Sequence, residues 1–495
     1  MKWSNLALAC ALFASCAVWA QNTASSPLGT LDAASNADVV RLGGQLMLAG
    51  KAYDYDRVLA DDYGPRLTGS DNYVKAAAWA AGEFERLGLK NVHLEPWEIA
   101  ATWEPETWAS AEIVAPRRMR LHLESDGWSV STPLGGVHGK VYYLEAFTPE
   151  TINAHAAQIK GSVALVDNTS FRSAGELLFG KLLDTLHLLA DTGAQALLFG
   201  MGTTNNASSM LGVASGDGVI SKLPTADVGA EDTKLLLRLL EHGPVEVEFH
   251  YANRIREHVK VNNVVAEIPG TDASGEYVVI GGHLDSWHLG TGAEDNGTGA
   301  ASVLAIAQGM MATGVKPRRT VRFVLFGGEE QGLFGSIHYA RDHANEMAKC
   351  AGVFVTDSGA EPPQGWLVFG RDDEKLALEP VKTLLAALGA GDTSDDGEFT
   401  FSTDHAPFLI HGVPAFVLWT GYDKYMKLHH KPSDTFDKVE QRDLNLGVTV
   451  VGITALTIAD APQSLKHLSQ SETEDQLKAI KSFNQYDDMR SHHMF

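Results

Sequence analysis

His283, Asp295, Glu330, Asp357 and His430 are all residues that bind metals, and they fall where an α/β chain gathers its ligands. His283 and Asp285 follow the apolar run EYVVIGG, Glu329 and Glu330 follow TVRFVLFGG, and Asp357 closes GVFVT. Short β-branched runs alternating with helical patterns predict buried parallel strands. Open parallel sheets place their ligand sites just beyond the carboxyl ends of such strands. Three strands would therefore deliver His, Glu-Glu and Asp to one edge. Asp295 lies in the Gly-rich loop GTGAEDNGTG just before a helix, and His430 lies in the later loop HHKPSDT. Two histidines and three carboxylates suit zinc. A bridging carboxylate can hold two ions about 3.5–4 Å apart, as in two-metal hydrolases. Adjacent glutamates at the end of an extended strand point apart, so one can be a ligand and the other a general base.

Each piece has a plainer reading. A single loop histidine is usually solvated or hydrogen-bonded. Glu329–Glu330 could be acids at a helix start, and Asp295 before Asn-Gly could be a cap or a turn. GTGAEDNGTG lacks the lysine of a phosphate loop. It is the convergence on one sheet edge that argues for a metal centre. No HExxH helix and no G-x-S-x-G elbow is present, which removes support for zincin and serine-hydrolase chemistry.

The elements that must position these residues are a mostly parallel central sheet flanked by helices, an α/β fold. Residues 254–465 carry the catalytic region, with strands NNVVAEIPG, EYVVIGG, TVRFVLFGG, AGVFVTDSG and PAFVLWT and intervening helices, including one near 333–349 and one near 375–388. Residues 21–136 form its N-terminal part, with a polar leader to about residue 36, an amphipathic helix from about Asp71 to Leu87, and separate strands at NVHLEPWEI and SAEIV. Residues 137–253, with GKVYYLEA, GSVALVDN, AQALLFGM and VEVEFHYA, read as an inserted smaller α/β domain. Residues 466–495 form a charged tail, expected as one exposed helix with a frayed end.

Residues 1–20 combine Lys2, an apolar run from Leu6 to Val18 and the exit Val18-Trp19-Ala20, the pattern of a secretory signal. The protein is therefore expected to be secreted or periplasmic. After cleavage only Cys350 of Cys10, Cys16 and Cys350 remains, so no internal disulfide is expected, and Cys350 reads as a buried thiol. The chain has 39 basic and 62 acidic residues, a net charge of −23, which argues against nucleic acid or an anionic membrane as partner. No membrane span is expected.

GGHLDSW, GTGAEDNGTG, FGGEEQG, VTDSG, STDHAPF and HHKPSDT resemble the successive motifs of the di-zinc exopeptidase family of bacterial aminopeptidases and carboxypeptidase Q. GPRLTGS, NVHLEPWE and KYMKLHHKPSDT are most similar to the carboxypeptidase Q branch. The resemblance implies two Zn2+ ions per chain. His283 and Asp357 would hold one, Glu330 and His430 the other, and Asp295 would bridge. It makes Glu329 the base and Asp285 the partner that orients His283 through its imidazole. It favours His430 over His429 and likens 137–253 to a protease-associated domain. Asn296 after Asp295, and STDHAPF, are closer to the aminopeptidase version. His405 is a candidate oxyanion donor or a structural loop histidine. The expected substrate is a dipeptide or short peptide, with homodimer formation left open. The alternatives are an aminopeptidase on the same scaffold, a non-catalytic receptor-like protein, and a glutaminyl-cyclase-like transferase.

Overall fold

A computed structural model of the protein describes residues 26–173, 179–200, 202, 206 and 218–494. The signal sequence expected at 1–20 lies outside the described residues. The described strands form one continuous sheet of fourteen. They are β1 (Lys90–Ala115), β2 (Met119–Arg120), β3 (Leu123–Ser125), β4 (Val137–Tyr143), β5 (Val163–Asp167), β6 (Ala196–Gly200), β7 (Thr225–Val228), β8 (Glu246–Ile268), β9 (Tyr277–His283), β10 (Thr320–Phe326), β11 (Cys350–Val355), β12 (Pro363–Leu367), β13 (Asp392–Ser394) and β14 (Ala415–Thr420). Their order is β13-β12-β14-β11-β9-β10-β8-β4-β5-β6-β7-β3, with β1 paired to β2 and β8.

Two parallel blocks lie within this sheet. In the larger, β14, β11, β9 and β10 are mutually parallel neighbours. In the smaller, β4, β5, β6 and β7 are. The long antiparallel ribbon of β1 and β8 joins them, running from Lys90↔Glu267 to Ala115↔Glu246. At about 3.3 Å per residue, the 23 residues of β8 span roughly 75 Å. Apolar clusters cover both faces of each block, as expected when crossover helices sit on both sides of parallel strands.

The helix Asp71–Leu87 matches the expected amphipathic segment. Ser70 accepts from the Tyr73 amide at its start, Gly88 ends it at φ +87°, and Tyr73, Ala76, Ala77, Ala80 and Phe84 form its buried face. Helix Thr298–Thr313 is buried along almost its whole length behind β9 and β10. Gln441–Asp460 is long and apolar enough to cross a membrane, yet in this fold most of it is buried in the core. Cys350 is a buried free thiol, and burial pushes its pKa up to about 12.

Several expectations need correction. The leader is shorter than expected: Leu28 and Leu31 are buried, and Asp32 caps the helix Ala33–Ala49. NVHLEPWEI and SAEIV belong to one strand, as do VEVEFHYA and NNVVAEIPG, so the 253/254 boundary falls inside β8. β3, which precedes residue 137, pairs with β7 of the smaller block. The helix expected near 333–349 is confined to Phe334–Asp342. The one expected near 375–388 is split into Asp372–Ala377 and Lys382–Ala387 around Pro380, which cannot continue a helix. The tail is two helices, Gln470–Ala479 and Phe483–Ser491, docked through Leu477, Tyr486 and Met489.

Candidate metal centre

β11, β9 and β10 are adjacent and parallel, and the register Phe326↔His283 and Val355↔Gly281 aligns their carboxyl ends. His283 therefore lies beside Glu329–Glu330 on one side and Asp357 on the other. Gly328, at φ +73°, lets the chain turn sharply after β10, and a Cβ there would come within 2.7 Å of the Trp97 ring. Gly292, at φ +64°, opens the Asp295 loop, where a Cβ would come within 2.2 Å of the Ser286 side chain.

The expected ligands converge. His283 Nε2 lies 3.5 Å from Asp295 Oδ1, 3.5 Å from Asp357 Oδ1 and 3.8 Å from Glu329 Oε2. His430 Nε2 lies 2.9 Å from Glu330 Oε2 and 3.4 Å from Asp295 Oδ2. The two oxygens of Asp295 thus face two different clusters. His429 stacks on His430 at 3.6 Å, and its Nε2 lies 3.6 Å from Asp295 Oδ2, but His430 alone of the pair approaches Glu330 as well. His283 Nε2, Asp295 Oδ2 and Glu330 Oε1 are buried and make no hydrogen bond among the described residues. Groups of this kind are costly to bury unless something else coordinates them.

The electrostatics point the same way. Burial, then Asp295, push Glu330 up to about 7. Burial raises Glu329 well above the ordinary carboxylate range, with His283 opposing. Burial alone would lower His283, but Glu329, Asp357, Asp285 and Asp295 together raise its pKa well above the ordinary value. Asp295 goes the other way: burial would raise it, but His283, His429 and His430 hold it below the ordinary carboxylate range. Three groups of potential ligand atoms fit a cation: His283, Asp295 and Glu330; His283, Glu329 and Asp357; and Asp295, His429 and His430. The residues present therefore fit divalent metal.

Asp285 holds the His283 imidazole through its backbone rather than through its carboxylate. Its backbone oxygen accepts from His283 Nδ1 at 3.0 Å, while its carboxylate stands 3.6 Å from that nitrogen. The carboxylate instead accepts from the amides of Glu329 and Glu330, both at 3.3 Å, and from the Thr68 hydroxyl at 2.9 Å. The backbone contact protonates Nδ1 and leaves Nε2 free as a ligand atom. The carboxylate fixes the Glu-Glu turn, since a strand end leaves those two amides without ladder partners. His405 is fully buried and stacked 4.4 Å from Phe369, and burial lowers its pKa to about 3.

Other residues at the site carried no assigned role in the sequence. Arg66, fully buried, donates to the carbonyls of Leu284, Leu59, Gly64, Thr291 and Gly292, tying the His283 and Asp295 loops together. The Asp434 carboxylate accepts from the amides of Glu294 at 2.7 Å and Asp295 at 3.1 Å. Buried Glu294 pairs with Lys424 at 2.6 Å. The Tyr425 hydroxyl donates to Asp357 Oδ1 at 3.0 Å. GPRLTGS and HHKPSDT contain Arg66 and Asp434, but nothing local distinguishes either from an ordinary loop residue.

A cavity of about 340 Å3 opens onto the cluster and is lined by Asp295, Glu329, Glu330, Asp357, Tyr425, His429 and His430 at one end. Its remaining wall is largely apolar. Among the described residues, no Lys or Arg lines it.

Residues 263–450 match peptidase family M28. Carboxypeptidase Q from Mus musculus is 28% identical over 416 residues, covering 84% of this chain and 87% of that protein. A peptidase M28 precursor from Shewanella amazonensis superposes with a TM-score of 0.76 at 26% identity, covering 88% of this chain and 99% of the other. BSAP, a zinc aminopeptidase from Bacillus subtilis, has a TM-score of 0.61 at 20% identity, over 81% and 93% of the two chains, and shares the fold.

Proposed function

We propose that this metallo-exopeptidase, whose residues 263–450 match peptidase family M28, hydrolyses dipeptides or short peptides with two Zn2+ ions, as a carboxypeptidase Q-like enzyme. In this reading His283 and Asp357 would hold one ion, Glu330 and His430 would hold the other, and Asp295 would serve both. One observation carries it: Asp295 Oδ1 lies 3.5 Å from His283 Nε2 while Oδ2 lies 3.4 Å from His430 Nε2. Bound there, the ions would polarise the scissile carbonyl and make a water more acidic.

Glu329 is the general base. Its buried carboxylate takes a proton from the attacking water and returns it to the leaving nitrogen as the C–N bond breaks. Asp285 holds the Glu329 and Glu330 amides, so ligand and base leave the turn at set positions. Buried Tyr425 lines the cavity, donates to Asp357 and limits its movement. Export through residues 1–20 belongs to the same proposal and rests on Lys2, the apolar run from Leu6 to Val18 and the exit Val18-Trp19-Ala20.

A second reading, aminopeptidase, is supported by the cavity lining. A free α-amine would meet Asp357, Glu329 and Glu330, whereas a terminal carboxylate would meet no Lys or Arg among the described lining residues. Assaying one dipeptide alongside its N-blocked and C-amidated forms, with and without chelator, tests both. Loss of turnover on N-blocking indicates an aminopeptidase, on C-amidation a carboxypeptidase, and on both a dipeptidase. Chelator-resistant turnover would overturn the metal assignment.

A further inference from the structure

The carboxyl edge of the smaller block opens onto a second cavity, of about 730 Å3, that no proposed ligand of the metal centre lines. β5 ends on it at Asp167, β6 ends on it at Gly200, and the helix Ala230–Leu240 begins there. Open parallel sheets hold their ligands at this edge. The facing wall comes from the larger block, where segment 426–433 contributes Met426, Lys427, Lys431 and Ser433 and also carries His429 and His430. Lys234, Lys427 and Lys431 thus share one cavity in a chain of net charge −23. None of the three forms an ion pair among the described residues, whereas Lys424, close by in the chain, is paired with Glu294. Lys234 and Lys427 are exposed. Lys431 is 7% exposed, and its ammonium donates to the Met426 carbonyl at 2.5 Å. An ammonium carries three donors, so each lysine keeps some for a ligand. Asp167 is the single carboxylate in the described lining, and Tyr143, Thr169 and Ser170 already donate to it.

We propose that this cavity is a binding site for a small anion bearing carboxylate or phosphate oxygens, clamped between Lys234 of the smaller block and Lys427 and Lys431 of the larger. Clefts lined by one sign of charge focus their field on ions of the other sign. Lysine meets such oxygens as a compact charge with several donors, which suits a ligand that offers oxygens on two sides. Without an anion the two walls repel, and with one bound they are drawn together. Occupancy therefore bears on how the smaller block sits against the histidine segment. That segment leads to the metal centre: Lys431 follows His430, and its carbonyl accepts from the Asp434 amide at 3.1 Å, while the Asp434 carboxylate holds the Glu294 and Asp295 amides. The anion site goes beyond the exopeptidase reading and stands without it.

Calorimetric titration of the zinc-loaded full chain at low ionic strength, with inorganic phosphate and separately with succinate, tests the site. Saturable binding of at least one probe is expected, and which one binds tells a phosphate source from a dicarboxylate. Lys234→Gln should weaken that binding about tenfold, the loss of one charge-assisted hydrogen bond. Lys427→Gln should do the same, and the two together more than either alone. Lys234 lies on a different block from every proposed zinc ligand, so an oxyanion bound to zinc would be indifferent to Lys234→Gln. Unchanged affinity in the folded Lys234→Gln/Lys427→Gln chain overturns the site, as does a wild type that binds neither probe. The wild-type Tm should also climb with probe concentration, and climb less in the doubly substituted chain. Equal rises in the two chains overturn the site as well.

Discussion

The two parallel blocks of the sheet share an architecture and differ in what stands at their carboxyl edges. At the end of β5 in the smaller block, Asp167 Oδ1 accepts from the Tyr143 hydroxyl and from the amides of Thr169 and Ser170. That carboxylate is occupied by its own chain. At the end of β9 in the larger block, His283 Nε2 faces Asp295 and Asp357 with no hydrogen-bond partner among the described residues. Strand-end position alone therefore does not make a metal centre. What separates the blocks is a set of buried ligand atoms that the fold gathers and leaves without internal partners. The smaller block contributes part of the apolar wall of the same cavity through Phe171, Leu182, Leu186 and Phe199.

The largest expected effect strikes the larger block's edge without disturbing its ligands. Glu329→Gln should lower kcat about 10³-fold while zinc content by elemental analysis stays at the wild-type value. Near-normal turnover would remove Glu329 as the base. Next comes the histidine pair. His430→Ala should cost one zinc per chain, whereas His429→Ala should retain both, because only His430 approaches Glu330 and Asp295 together. Equal losses from the two variants would mean that the ligand role is shared. Asp434→Asn is gentler. Replacing one acceptor of the Glu294 and Asp295 amides should weaken zinc affinity about 10–100-fold in chelator competition, leaving the ligands themselves intact.

The smallest effect sharpens the other side of the comparison. Asp126, just beyond β3 and fully buried, has neither carboxylate oxygen hydrogen-bonded, and burial pushes its pKa up to about 8 from an ordinary 3.8. The folded protein therefore holds a proton that the unfolded chain releases, and Asp126 weakens stability progressively as pH rises from about 4 to about 8. Asp126→Asn should match the wild type in Tm near pH 4 and exceed it increasingly towards pH 8.5. A pH-independent difference would show that Asp126 is ionised in the folded state.

Much of the larger block was legible in the sequence because its strands are short apolar runs separated by helical periodicity, and His283, Glu329–Glu330 and Asp357 sit directly at their ends. The ribbon was not legible as a unit. Its strands run through Asn253–Lys260 and Pro105–Ser110, polar stretches that look like linkers until each pairs with the other. β12 and β13 were missed as well. β12 holds Pro363 and Gly365 and β13 is three residues long, so neither shows strand periodicity by itself. The packing of the tail is hidden in the sequence for a related reason. Its charged residues dominate locally, while Leu477, Tyr486 and Met489 find their partners only in the folded core.

By itself, the sequence determined which residue types end which strands, and through the rule for parallel sheets it determined that they share an edge. That information is local, carried by hydrophobic period and by position within each βα unit. Tertiary structure alone decided which way each side chain faces. It turned the two oxygens of Asp295 towards different histidines and swung the Asp285 carboxylate onto the Glu-Glu turn. It also set Arg66 against Gly292, 226 residues away, and brought Met494 opposite Leu186. Such contacts depend on closing long loops, and their energy comes from desolvation and hydrogen bonding among groups that meet only in the folded chain.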